Sequence, residues 1–136
     1  MKYAIVLLLL CFSAFGFAQD STMVKVDAPK IIALLPLGKT VTIENVTIEF
    51  VEVVGDSRCA KGVQCVWAGE VVVFVDVFKD EKKIDRKKMT FGATGNTNDI
   101  YVDEGLTISA LKVIPYPVYK EKIAQEDYKI ELYVKD

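Results

Sequence analysis

No histidine occurs anywhere in the 136 residues. Ser-His and Cys-His nucleophile arrangements are therefore excluded, as is any metal centre built on imidazole. Cysteine is scarce as well. Of three residues, Cys11 falls in the apolar stretch at the start, leaving Cys59 and Cys65. Two thiolates with no further soft ligand do not complete a zinc site. Tryptophan occurs once, at Trp67, and proline only four times. After the opening stretch, no apolar run is long enough to span a bilayer. No later segment repeats apolar residues with a 3.6-residue period, so no amphipathic helix is expected. The formal net charge is −2, which lacks the basic surplus that a nucleic-acid partner calls for.

Residues 1–18 read as a secretory signal peptide. Met1-Lys2 is the positive n-region, Ala4 to Phe12 the apolar h-region, and Gly16-Phe17-Ala18 puts small residues before a cleavage at Gln19. Leu10 precedes Cys11 where a lipobox needs a small residue, so Cys11 is read as part of a discarded leader and not as a lipid anchor. Removing 18 residues leaves 118, enough for a single domain over 19–136 that buries roughly two-thirds of its unfolded surface. The expected location is periplasmic or extracellular, with no stable insertion in a membrane.

Beyond the leader the chain alternates with period two. Val24 and Val26 permit a short first strand; Ile31 to Leu35 is apolar and ends at Pro36, and Val41 and Ile43 alternate with Thr40 and Thr42. Val46, Ile48 and Phe50 share one face of a strong strand. The pattern then slips near Phe50–Val51, as a β-bulge would make it do. Glu70–Phe78 is apolar on both faces except at Asp76, which predicts a strand in the middle of the structure. Leu106–Ile114 slips near Ala110–Leu111. Asp103-Glu104-Gly105 signals a hairpin, Pro115-Tyr116-Pro117 ends a strand, and Tyr128–Val134 closes the chain with clean alternation. Seven or eight short strands predict an all-β, single-domain antiparallel sandwich, Ig-like or similar, with a small barrel as the alternative.

Between two apolar strands lies Gly55–Gly69, GDSRCAKGVQCVWAG. In an oxidising compartment Cys59 and Cys65 are expected to be bridged. Five intervening residues suit a turn and not a redox dithiol, which wants two. Asp56, Gly62 and Gly69 are read as structural turn residues, and Lys61 and Gln64 as exposed. Asp56 caps the turn and Arg58 pairs locally; alternatively Arg58, with Lys61, presents positive charge to a partner. A tryptophan near a disulfide in a sandwich is ordinarily a core side chain; the alternative is that Trp67 holds or extends a contact platform.

Asp56-Ser57-Arg58-Cys59, Gly62, Cys65 and Trp67-Ala68-Gly69 resemble a motif of small exported bacterial β proteins of uncharacterised role. In that motif Asp-Ser-Arg-Cys-Pro precedes Gly, Cys and Trp-Ala-Gly. Ala60 stands where the family has proline. Pro115-Tyr116-Pro117 and the closing strand from Tyr128 also look like that family. The resemblance implies the fold and carries no activity.

Three further features complete the inventory. Asp76 is read as an exposed or hydrogen-bonded structural carboxylate, with a paired-carboxylate hydrolase acting on glycans as the sharper alternative. Asn96–Asp99, with Asp103 or Glu104, offers oxygen ligands for calcium, although turn chemistry accounts for the same residues. Tyr101, Tyr116, Tyr119 and Tyr133 are candidates for sugar stacking. The first expectation is a non-enzymatic exported binding module, without cofactor or metal, whose partner is a protein, small molecule or glycan. Arg58, Lys61 and Trp67 would form its contact surface. The alternative is a purely structural envelope protein.

Overall fold

The computed structural model describes residues 30–92 and 97–135. The leader with Cys11, the alternation at Val24 and Val26, and Asn96 lie outside them. Eight strands form: β1 (Lys30–Pro36), β2 (Thr40–Ile43), β3 (Val46–Asp56), β4 (Glu70–Lys79), β5 (Lys82–Gly92), β6 (Asn98–Asp103), β7 (Leu106–Ile114) and β8 (Lys129–Lys135). They make two four-stranded antiparallel sheets in the orders β1-β8-β7-β6 and β2-β3-β4-β5. The expected all-β sandwich is therefore present, and the alternative barrel is not, because β1/β2 and β5/β6 fall in different sheets.

Period-two alternation puts one face of each sheet in the core. Val46, Ile48, Phe50, Val71, Val73, Val75 and Val77 come from one sheet, and Ile100, Ile108, Val113, Ile130 and Leu132 from the other. The register shifts between Phe50 and Glu52, which is the anticipated bulge, and again between Val53 and Gly55. The extra residue returns Val53 to the buried face after Phe50. β7 shifts between Ala110 and Lys112, so Ala110 and Val113 are both buried.

β4 is central in its sheet, as its two apolar faces predicted, but its second face is not roofed by another layer. Val72, Phe74 and Phe78 are half-buried. The register sets Phe74 between Glu52 and Lys88, and Asp76 between Glu49 and Arg86, whose long stems cover apolar surface while the charges stay in water. Edge strand β5 is exposed from Lys82 to Arg86. Asp85 and Lys87 stand opposite the core valines Val77 and Val75, and charge on the inner face of an edge opposes pairing with another sheet.

Between β1 and β2 the chain changes sheets at Leu37-Gly38. The Leu37 amide donates to the Tyr128 carbonyl at 2.9 Å, and the Gly38 amide to the Phe50 carbonyl at 2.7 Å. The β3–β4 and β7–β8 connections emerge at a common end of the sandwich: the Lys61 amide donates to the Pro117 carbonyl, and the Tyr119 amide to the Lys61 carbonyl, each at 2.9 Å.

Candidate functional site

The β3–β4 loop has a buried base and an exposed tip. At the base, Arg58 is 8% exposed. Its Nε and Nη2 donate to the two carboxylate oxygens of Asp56 at 2.8 and 2.5 Å. Nη1 donates to the Val113 carbonyl at 2.7 Å and Nη2 to that of Pro115 at 2.9 Å. The guanidinium also lies over the Tyr116 ring, 5.1 Å from its centroid. The Tyr128 hydroxyl donates to Asp56 at 3.1 Å. Burial works against the charge on Asp56, but the hydrogen bonds and charge of Arg58 outweigh it and hold the carboxyl below its ordinary value. Burial, with Asp56 beside it, raises the Tyr128 phenol.

Arg58 thus pairs locally and does not present its charge at the rim. Each of its three side-chain nitrogens donates to the protein's own groups, which corrects the expectation of a contact role. A planar five-donor head suits this bidentate, stacked position.

Above the base, Ser57 and Glu70 close the loop's neck. The Ser57 amide and hydroxyl both donate to the Glu70 carbonyl, at 2.8 and 3.0 Å. The Cys59 amide donates to the Ala68 carbonyl at 2.8 Å. Gly69 makes this closure possible. Its φ is +69°, and a Cβ there would sit 1.9 Å from the Ser57 carbonyl oxygen. Gly62, φ +89°, turns the chain against Tyr119. The Cys59–Cys65 disulfide is formed, with 5.9 Å between the Cα atoms.

Past the disulfide the chain protrudes. Trp67 is 81% exposed and Val66 fully so; Val63 is also exposed. Trp67 is therefore not a core side chain. The Cys59–Ala68 and Ser57–Glu70 bonds turn both ends of the loop inward, and the residues between face water. Lys61 and Gln64 are exposed as anticipated. Lys61 Nζ lies 5.7 Å from the Tyr116 centroid, and Val118 and Tyr119 extend the exposed apolar surface beside it. Val66 and Val118 escaped the sequence reading. The signal for Val66 was an apolar pair set between a cross-linked cysteine and a strained glycine, too short to be a strand.

The other candidates lie elsewhere. Asp76 accepts from Arg86 at 2.6 and 2.9 Å and from Lys83 at 2.6 Å. Arg86 chiefly draws its carboxyl down to about 2, the opposite of what a general acid requires. Asp103 accepts from Lys79 at 2.8 Å and from Tyr101 at 2.7 Å, and these bonds hold it well below the usual range. Asp99 accepts from Ser109 at 2.6 Å. Among the described residues no group of three or more carboxylates or cysteines is placed to hold a metal. A shallow cavity of about 440 Å³ on the β7–β8 connection, lined by Lys122–Glu126, holds Glu126 as its one carboxylate. Tyr101 lies with Lys79, away from the loop that Tyr116 and Tyr119 flank, so the four tyrosines form no common surface. Among the described residues no helix is long and apolar enough to cross a membrane.

No protein-family model, curated protein or solved structure matches the chain.

Proposed function

We propose that the protein is exported and acts as a non-enzymatic binding module, with the tip of the β3–β4 loop as its contact surface. One observation carries this reading: the chain's sole tryptophan stands 81% exposed beside a fully exposed valine, on a loop fixed by a disulfide and a buried arginine. Large apolar side chains so exposed cost solvation unless a partner covers them. A rigid presentation reduces the ordering entropy lost on contact. The contact set becomes Lys61, Val63, Val66 and Trp67, with Arg58 as the anchor beneath. A protruding tip has no walls to enclose a small molecule, which supports a partner with a surface of its own.

The test is capture from envelope extract by immobilised protein, comparing the wild type with Val66→Ser/Trp67→Ala. The reading expects a partner that the wild type retains and the variant loses. Equal capture by both overturns it. The alternative, a loop that is only a folding staple, draws on the ties from Arg58 to Val113 and Pro115. It expects Cys59→Ala/Cys65→Ala to melt earlier while every partner is kept.

A further inference from the structure

The exposed side chains at this end have a composition of their own. Val63, Val66 and Val118 are aliphatic, and Trp67 and Tyr119 carry a polar atom at the rim of a large ring. Their fringe is cationic. From Ser57 to Gly69 there is no acidic residue, and with Arg58 neutralised by Asp56 the free charge there is Lys61. The adjoining turn adds Lys120 and Lys122 against Glu121. Lys120 Nζ lies 5.2 Å from the Tyr119 centroid. Glu126 and Asp127, both exposed, follow in the same connection before buried Tyr128. The loop tip itself thus carries a positive charge, Lys61, with no acidic residue between Ser57 and Gly69, on a chain whose net charge is −2.

Naming the partner of the contact surface argued above, and resting on that reading, we propose that the tip docks on an anionic lipid surface. Val66 and Trp67 enter the interfacial layer, while Lys61, Lys120 and Lys122 face the headgroups. Tryptophan and tyrosine favour that layer because the ring is apolar and its N–H or O–H stays wet. Lysine stems extend the apolar contact and leave the ammonium among phosphates. Only a two-residue tip needs to enter, to a depth where water still reaches the backbone, so the open loop brings no unsatisfied polar groups into hydrocarbon. The disulfide keeps Val66 and Trp67 presented together. A footprint this small binds weakly by apolar burial alone, so attraction between lysines and lipid phosphates decides whether it holds. An acidic protein face would meet the same charges, but it would have to match an apolar wedge that a fluid interface accepts without a preformed pocket.

The probe is co-sedimentation with vesicles of phosphatidylcholine alone and of equimolar phosphatidylcholine and phosphatidylglycerol. The protein is expected to sediment with the anionic vesicles only, and to be released as salt rises. Trp67 emission should shift to the blue there and be quenched by bromine on the upper acyl chain. Lys61→Gln should lower the partition coefficient about fivefold, and Val66→Ser/Trp67→Ala at least as much, both with unchanged melting. Lys87→Gln/Lys88→Gln, on the basic edge strand, should leave it unchanged. No sedimentation, or sedimentation abolished by the edge-strand variant and indifferent to the tip, overturns the lipid assignment. If Trp67-dependent capture of a protein persists in that case, the loop remains a contact surface with a different partner. If that capture is also lost, both readings fall.

Discussion

Arg58 Nη1 donates to the carbonyl of Val113 at 2.7 Å, across 55 residues of sequence. The donor belongs to the β3–β4 loop of one sheet and the acceptor to β7 of the other. One guanidinium therefore ties the loop to both halves of the sandwich, and it does so while neutralising Asp56. Beyond it the loop runs out to the exposed Val63, Val66 and Trp67.

Removing the arginine should thus damage the fold. Arg58→Ala removes the cation and two donors from the carboxylate of Asp56, which keeps only the Tyr128 hydroxyl and a backbone amide, and leaves two carbonyls without the guanidinium. Urea denaturation should show a loss of about 3–5 kcal/mol, whereas Lys61→Ala, a surface change, should stay within about 0.5 kcal/mol. Equal small losses would mean that Arg58 is not the anchor. Arg58→Lys should recover little, because an ammonium cannot reproduce the fork.

Gly69→Ala should cost about 2–3 kcal/mol, from a left-handed backbone and a Cβ driven against the Ser57 carbonyl. Gly55→Ala is the control. Nothing lies within 4 Å of its added Cβ and its φ is not in the strained region, so thermal melting should be unchanged or slightly raised.

The disulfide closes a short loop, with a sequence separation of six. Chain entropy assigns it about 2–2.5 kcal/mol. Cys59→Ala/Cys65→Ala should remain folded by circular dichroism, melt earlier, and show faster amide exchange from Ala60 to Ala68 than elsewhere.

Acid should unfold the protein through its depressed carboxylates. Asp76, drawn down to about 2 mainly by Arg86, and Asp56, lowered in its buried pair, each bind protons more readily in the unfolded chain. Their stabilisation is complete above the unfolded value near 4 and disappears as pH falls through the folded one. The pH dependence of stability between about 4 and 2 should flatten in Asp76→Asn. An unchanged slope would remove Asp76 from the account.

The strands were legible because burial writes itself into alternation. Even the bulges showed, since an inserted residue at Phe50–Val51 or Ala110–Leu111 moves the apolar phase by one. The disulfide followed from scarcity. What the sequence could not place was direction. Arg58 finds its acceptors 55 and 57 residues away, and no local pattern encodes carbonyls on another sheet. Trp67 looked like core because tryptophans near disulfides usually are. Which way a loop points depends on a neck closed by Ser57, Gly69 and Glu70, whose geometry appears only when both strands are in place. The second face of β4 read as buried because its residues are apolar, but charged neighbours cover it instead of a layer.

The central claim is that an immobile base holds an open apolar tip for a partner. The single tryptophan reports on that tip alone. Labelled with 5-fluorotryptophan, the protein should give one ¹⁹F resonance with a full H₂O/D₂O solvent shift. Unlabelled envelope extract, membranes included, should broaden or move that resonance and reduce the solvent shift. A resonance already shielded in the free protein, or one that no envelope fraction perturbs, would contradict the account.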